Sequence, residues 1–596
     1  MHGCHGRILV ADLDHGACRA ERLPEDILRR YLGGRGLAAH LLCTRNPAGA
    51  DPLGPDNHLI FATGPFTGTM FWGGSRYGVY AKSPLTGGWA ESYSGGRVPE
   101  ALDAAGYDAV VIRGRAGRPV VLVVTPDGCE VREAGDLWGL DTERAEAEAL
   151  ARFAPAGPDG SAWPRLGAVV IGPAGERLVP FAMIANDRWH CAGRTGMGAV
   201  MGSKGVKAVI FAGDRKRGQA DPDGARAYAR DFMRRNRDTP GVKAYKAQGT
   251  TLMVALMNTA GAFPGRYWTE GSVKHWEAIS GDHYHADHDI EPSACAKCFV
   301  ACGRKARMTS GRREGLVIEG PEYETIYAFG GLCMVDDITE IAHLNDVCDK
   351  LGLDTISAGN LCGLAMAGRA ADRLPEGPVW GDVDAIEALL VGMSDGTGLG
   401  GVLGKGITAA ARELNLEDLA VHVKGLEPAG YDPRKLKGMG LTYATSPRGA
   451  CHLRTTFYKP ELAGMSPPDE LQGKAGLLVE YEDRLTIFDC LVLCRFFRDM
   501  YTWEELERSI ALATGLEPDT AALRTMAAHI TDLTRAFNLR EGLTPEDDRL
   551  PRRLTKVALP SGHTLTEDDM AHLLLDYYRE RGWTEDGRPA VEDCTQ

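Results

Sequence analysis

Glu291-Pro-Ser-Ala-Cys295-Ala-Lys-Cys298-Phe-Val-Ala-Cys302-Gly-Arg304 is the stretch on which the reading of this chain turns. Its three thiols stand at C-x2-C-x3-C spacing. That suits no disulfide scheme, because bridges need even numbers and more separation. The same spacing lets three thiolates fold around one corner of a small inorganic cluster. An iron–sulfur cube takes four cysteine thiolates, so a fourth must come from elsewhere in the chain. Zinc is the competing ligand, but its ribbons pair C-x2-C knuckles or Cys/His partners at fixed spacing, and no second knuckle is present. The spacing therefore favours a cluster over zinc.

Working outward, the chain has 596 residues, enough for two to four domains. Hydrophobic residues make up 44% and charged residues 25%, the profile of an ordinary globular protein. The net charge is -14 with acids and bases interspersed, which argues against a nucleic-acid or anionic-membrane surface. The fifteen cysteines are scattered and odd in number. The start, Met1-His-Gly-Cys-His-Gly-Arg7, has no apolar signal segment, and no apolar run is long enough to span a membrane. These features lead to the expectation of a reducing cytoplasm.

The pattern along the chain is α+β and multidomain. Residues 1–212 are β-rich: short β-branched runs near Arg7, Asp56, Tyr77, Asp108, Pro119 and Lys207 are bounded by Gly, Pro or Asp. Helices are expected from Pro24 to Leu32 and from Thr142 to Phe153. Two mainly helical domains follow, residues 213–425 with the cysteine triad and residues 426–596. In the first, Ile338, Ile341, Leu344, Val347 and Leu351 fall on one helix face with Gly352 as a stop. Other helices are expected over 223–237, 250–260, 355–371 and 384–393. Thr502-Trp-Glu-Glu505 reads as a capping box opening a helix that ends at Gly515. Glycine-rich loops at 63–96 and 191–205 carry Arg76, Lys82, Arg194 and Lys204. They match no nucleotide motif, but their backbone N–H groups and cations suit a phosphate-bearing cofactor. The polar stretch with His283, His285 and His288 reads as a solvated loop.

Several motifs occur together: the triad, Asp349-Lys-Leu-Gly-Leu-Asp354, Asp489-Cys-Leu-Val-Leu-Cys494, Lys82-Ser-Pro-Leu-Thr-Gly87, and Gly198-Ala-Val-Met-Gly-Ser-Lys204. With them stand Gly320-Pro-Glu-Tyr-Glu-Thr325, Ala444-Thr-Ser-Pro-Arg448-Gly-Ala-Cys-His452 and Phe537-Asn-Leu-Arg-Glu-Gly542. From about residue 7 to about residue 555 the chain resembles the aldehyde ferredoxin oxidoreductase family of tungsten, sometimes molybdenum, pterin enzymes. The resemblance implies a cofactor at the interface of the domains. Cys295, Cys298, Cys302 and Cys494 would hold one 4Fe–4S cluster, with Cys494 also touching a pterin and Arg76 lying between cluster and pterin. Two pyranopterin dithiolenes would ligate the metal. Asp349 and Asp489 would accept from pterin N–H groups, with Leu353, Asp354 and Leu493 beside them. The loops around Tyr93, Gly95, Cys191, Gly193 and Arg194 would hold the pterin phosphates and a bridging magnesium, and Arg448 and Arg454 would face a pterin. Val492 stands where the family has glycine, and Tyr93 where it often has asparagine.

The resemblance also implies chemistry. Glu324 and His452 match the family's acid/base pair in the substrate pocket, with Tyr323 beside them. A shielded glutamate has a raised pKa and can act as general base, and a nearby histidine can polarise a carbonyl. The expected reaction is reversible oxidation of an aldehyde to its acid. Electrons would pass through the cluster to ferredoxin or a small iron–sulfur subunit, in a homodimer or hetero-oligomer. Two other readings stay open here: a relative acting on another substrate, such as the catalytic subunit of an aromatic acyl-CoA reductase, and a non-catalytic, metal-stabilised binding protein.

Overall fold

The computed structural model describes residues 1–591 and Cys594. The N-terminal third builds two six-stranded sheets. The first runs in the order Ala17–Arg22, Arg7–Asp12, Ala109–Arg113, Leu59–Ala62, Tyr77–Lys82, Trp89–Ser94. The second runs His190–Ala192, Ile184–Asn186, Arg165–Val170, Val206–Gly213, Val120–Thr125, Gly128–Glu133. Central strands such as Val120–Thr125 are continuous β-branched runs because both of their faces are covered. Leu9, Phe61 and Val79 of one sheet share a buried cluster with Leu122, Val169 and Phe211 of the other. From Pro222 onward the chain is mainly helical, as expected.

The periodic segments fall close to where the sequence puts them. Thr142–Phe153, Pro222–Asn236, Ile338–Leu351 and Thr355–Ala370 are helices. Three readings need correction. The cysteine triad does not sit among helices: it is the connection between the strands Asp289–Ser293 and Gly303–Arg307 of a small three-stranded sheet. Only half of the expected capping box forms. The Thr502 hydroxyl accepts from the Glu505 N–H at 3.4 Å, but the Glu505 carboxylate pairs with Arg235 at 2.8 Å instead of turning back. Lastly, Cys43 and Cys594 are joined by a disulfide, which departs from the thiols expected of a reducing compartment. No helix among the described residues is long and apolar enough to cross a membrane.

The two Asp-containing motifs share one geometry. The helix Ile338–Leu351 carries Asp349 in its last turn and is closed by Gly352 in a left-handed conformation, φ 80°. The helix Lys474–Leu491 carries Asp489 in its last turn and is closed by Val492, φ 54°. A β-branched residue is strained there, where glycine is not, so the substitution at 492 leaves the cap's shape intact but loaded. Against this cap packs the start of the helix Gly34–Arg45. A Cβ on Gly34 would stand 2.1 Å from the Asp489 carbonyl oxygen and 2.7 Å from a Val492 methyl. This close approach locks the end of the helix Lys474–Leu491, and with it Cys494, onto the N-terminal domain.

Candidate functional site

Residues from all three parts of the chain line one cavity of about 410 Å³. Cys295, Cys298, Cys302 and Cys494 all reach it, although Cys494 lies far along the chain from the other three. The Cys494 N–H donates to the Gly73 carbonyl at 2.9 Å, and the Gly96 N–H donates to Cys295 Sγ at 3.5 Å. A Cβ on Gly95 would lie 2.7 Å from that sulfur, so glycine is required for the loop to pass so close. Burial pushes the Cys298 thiol up to about 11, with the charge of Cys494 adding to it. Cys302 is raised further by the same causes. Cys295 is raised by burial as well, so the thiols of the triad resist becoming thiolates together unless a cation joins them. Arg76 supplies part of that charge and has these four sulfurs as its anionic neighbours. Among the described residues no Cys, His, Asp or Glu set is grouped to hold a single ion. The four sulfurs instead border a shared space, which fits a cluster of several irons better than one zinc. If these four thiols hold a 4Fe–4S cluster, Cys298→Ser should lower the iron of the purified protein from about four per chain towards none. Unchanged iron by plasma emission would refute the ligand assignment.

Beside the thiols lies a buried network of arginines and carboxylates. Arg454 pairs with Glu91 at 2.6 Å, and Arg495 pairs with Asp489 at 2.7 Å. Arg35 stands 3.6 Å from Glu91 and 3.8 Å from Asp489. Burial would raise the Glu91 carboxyl, yet Arg35, Arg454 and Arg448 around it hold it at about 2. Arg448 donates to Cys451 Sγ at 2.8 Å. The Nε atoms of Arg448 and Arg454 are buried without a partner on the chain. Such unspent donors beside the cavity wall suit a large ligand rich in acceptors.

The substrate-side pair also meets here. Glu324 accepts from the Gly430 N–H at 2.9 Å, and the Tyr323 hydroxyl donates to the Gly430 carbonyl. A π-helical segment, Ile326–Leu332, follows at once; such segments recur at functional sites. Burial pushes the Glu324 carboxyl up to about 7. Burial, helped by Arg448, Arg194 and Arg454, holds His452 well below its ordinary value. His452 Nε2 lies 3.4 Å from Glu324 Oε1, while His452 Nδ1 has no partner. At neutral pH the contact is thus between a neutral imidazole and a carboxyl poised between its two forms, not a salt bridge. The ring of Tyr431 stands 5.4 Å from that of His452.

Most of the other expected residues line the same cavity: Tyr93, Gly95, Cys191, Gly193, Arg194, Arg448, Arg454, Asp489 and Leu493. Asp349, Leu353 and Asp354 do not. Asp349 is buried behind the wall and accepts from Asn345 at 2.8 Å, and Leu353 bridges to Ala182. Asp354 caps the helix Thr355–Ala370 and reaches the cavity only through Arg194, whose Nε donates to it at 3.2 Å. Of the four loop cations, Arg76 and Arg194 face the cavity. Lys82 pairs with Glu541 at 2.6 Å, and Lys204 is buried against the Pro55 carbonyl. Sequence reasoning missed Arg35, Glu91, Glu427 and Tyr431. Glu427 carries a carboxyl that burial raises to about 7, and it flanks Arg194 at 3.7 Å. Arg35 left one signal: a charge inside the small-residue run Gly33-Gly34-Arg35-Gly36.

Four thiols and a network of guanidinium groups around one chamber spanning two sheets and a helical half describe a cofactor-dependent redox protein. Residues 8–213 match the N-terminal domain of aldehyde ferredoxin oxidoreductase, and residues 227–596 match its domains 2 and 3. The chain belongs to that family of oxidoreductases. It is 35% identical to the tungsten-containing aldehyde ferredoxin oxidoreductase of Pyrococcus furiosus, over 99% of this chain and 98% of the relative. It is 27% identical to the WOR-like subunit of aliphatic sulfonate oxidoreductase from the same organism, over 99% of this chain and 96% of the relative. The fold is shared with the active-site complex BamBC of benzoyl coenzyme A reductase, with a TM-score of 0.83 at 24% identity, covering 99% of this chain and 96% of that one.

Proposed function

We propose that the protein oxidises aldehydes to carboxylic acids, using a tungsten bis-pyranopterin and one 4Fe–4S cluster. The observation that carries the reading is the Glu324–His452 contact at 3.4 Å on the wall of the chamber that the four thiols share. The residues fit the cofactor: Cys295, Cys298, Cys302 and Cys494 would hold the cluster, and Arg76, Asp489, Arg448 and Arg454 would meet the pterins. The loops at Tyr93, Gly95, Cys191, Gly193 and Arg194 would take the pterin phosphates and magnesium. Asp354 would act from behind this wall through Arg194, to which it is bonded at 3.2 Å, and Asp349, with Leu353 beside it, would accept from a pterin N–H. When bound, the tungsten pterin supplies a two-electron acceptor and the cluster a one-electron exit.

Overall, aldehyde and water give acid, two electrons and two protons. His452, held neutral, orients the aldehyde by hydrogen-bonding its carbonyl oxygen. Glu324 Oε1, which has no hydrogen-bond donor on the chain, takes a proton as water adds to the carbonyl carbon. Tyr323 fixes the Gly430 peptide, whose N–H holds Glu324 Oε2. The aldehyde C–H bond then breaks, giving up the electron pair and the second proton of the overall equation; the proton goes to solvent and the electrons leave one at a time to ferredoxin or a small iron–sulfur subunit. Elemental analysis should find tungsten and iron with pyranopterin in pure protein, and aldehydes should reduce a viologen dye. Protein with tungsten that ignores aldehydes but exchanges electrons with an aromatic acyl thioester would move the assignment to that relative. Protein free of tungsten and molybdenum would end both readings.

A further inference from the structure

Arg304 follows Cys302 by two positions, in the strand Gly303–Arg307, and is 2% exposed. Its side chain is not part of the cavity lining but folds back behind the loop that presents the three thiols. There Nη2 donates to the Ala301 carbonyl at 3.0 Å and to the Tyr245 carbonyl at 2.5 Å. A Cβ on Gly249 would lie 2.6 Å from the Cys302 carbonyl oxygen and 3.0 Å from Arg304 Nε, so the guanidinium group and the cysteine backbone share one crevice. Nε and Nη1 are buried without a hydrogen-bond partner. Burial draws the Arg304 pKa down from its ordinary value, and Cys302 is the largest charge opposing that, ahead of Glu322 and Glu319. Both carboxylates bond elsewhere: Glu322 accepts from the Thr250 hydroxyl, and Glu319 from the Ser293 hydroxyl at 3.0 Å. A buried guanidinium whose hydrogen bonds go only to carbonyls is a costly thing to keep, and its strongest anionic neighbour is one of the four sulfurs.

A fixed positive charge has a defined effect at such a place. The potential of an iron–sulfur cluster depends on the charge around it, on hydrogen bonds to its sulfurs and on its exposure. Positive charge held where little water reaches favours the reduced, more negative form. Arg76 supplies charge from within the cavity, with the four sulfurs as its anionic neighbours. Arg304 supplies it from behind the wall. We infer that Arg304, acting through the Cys302 loop, raises the reduction potential of the cluster and so eases the entry of each electron into it. It touches neither substrate nor cofactor, so it is a positioning residue of the electron exit. The cluster gains one electron, the guanidinium stays charged, and no proton moves or bond breaks at Arg304. The inference rests on the cluster reading of the four thiols and not on the identity of the substrate.

The test is a dye-mediated redox titration of the anaerobically purified, cluster-loaded protein, followed by the paramagnetic resonance signal of the reduced cluster. Iron per chain is measured on the same samples. Arg304→Gln should keep its iron and be at least about tenfold harder to reduce, a fall of about 59 mV for one electron. Arg304→Lys, which keeps the charge, should stay within about twofold of the parent. An unchanged midpoint in Arg304→Gln overturns the inference. So does a lysine variant as hard to reduce as the glutamine one, because hydrogen bonding rather than charge would then be acting. Loss of iron from both variants also overturns it, since the arginine would then be a latch for the loop. A parent protein without iron removes the cluster reading and this inference together. A parent with iron and the expected shift, but no turnover of aldehydes, leaves the inference standing and removes the aldehyde reading.

Discussion

Glu324→Gln is expected to lower kcat by about 10²- to 10⁴-fold, the range that a positioned acid or base contributes. The glutamine keeps the acceptor for the Gly430 N–H, so the pocket's shape survives while the proton acceptor is lost. The pH profile carries the finer test. The carboxyl is pushed up to about 7 by burial, and a base works only when deprotonated. Activity of the parent enzyme should therefore rise as pH increases through about 7 and then level off. The opposite sign, activity falling over that interval, would make Glu324 the acid. His452 is held well below its ordinary value, so it stays neutral throughout and adds no second limb in this range. Steady-state kinetics of both proteins, from roughly pH 6 to roughly pH 8, decides the matter. A glutamine variant within about threefold of the parent, or one that keeps the limb near 7, removes Glu324 from proton transfer.

Much of the architecture was legible because its signals are local. Strands such as Tyr77–Lys82 and helices such as Thr142–Phe153 follow from side-chain periodicity and from caps within a few residues. The thiol triad was equally plain, since its spacing is set by one loop. The three-stranded sheet that presents it was not. Asp289–Ser293 and Gly303–Arg307 are five residues each and mostly polar, with Ile290 the one large apolar side chain between them, too little to mark a strand. The glycine-rich loops were recognised as cofactor loops, but which of their cations face inward was not. Lys82 turns away because Glu541, almost at the other end of the chain, offers it a buried partner. Glu91 was invisible for a similar reason. In the six-residue strand Trp89–Ser94 a lone carboxylate looks like a solvent-facing position, and only the fold brings Arg35, Arg448 and Arg454 to surround it.

That ion network gives the largest structural effect. Asp489 faces Arg454, Arg495 and Arg35 at once, with only 3% of it exposed. Asp489→Ala removes the carboxylate and leaves Arg495 without an acidic partner and Arg454 with Glu91 alone. Breaking a buried pair from one side costs about 3–5 kcal/mol, because the remaining charge is stranded away from water. The loss should show as a lower thermal midpoint. Adding Arg495→Leu to Asp489→Ala should recover part of it, since the stranded charge then goes as well. A surface pair would behave differently: single and double variants would each lie within about 0.5 kcal/mol of the parent. The pH dependence has a defined sign. Glu91 is held at about 2, below its ordinary value of 4.5, so its contribution is present above that ordinary value and is lost as pH falls towards 2. Full stability of Asp489→Ala, together with an unshifted midpoint in the double variant, would mean that water reaches these guanidinium groups and that the network is not a buried one.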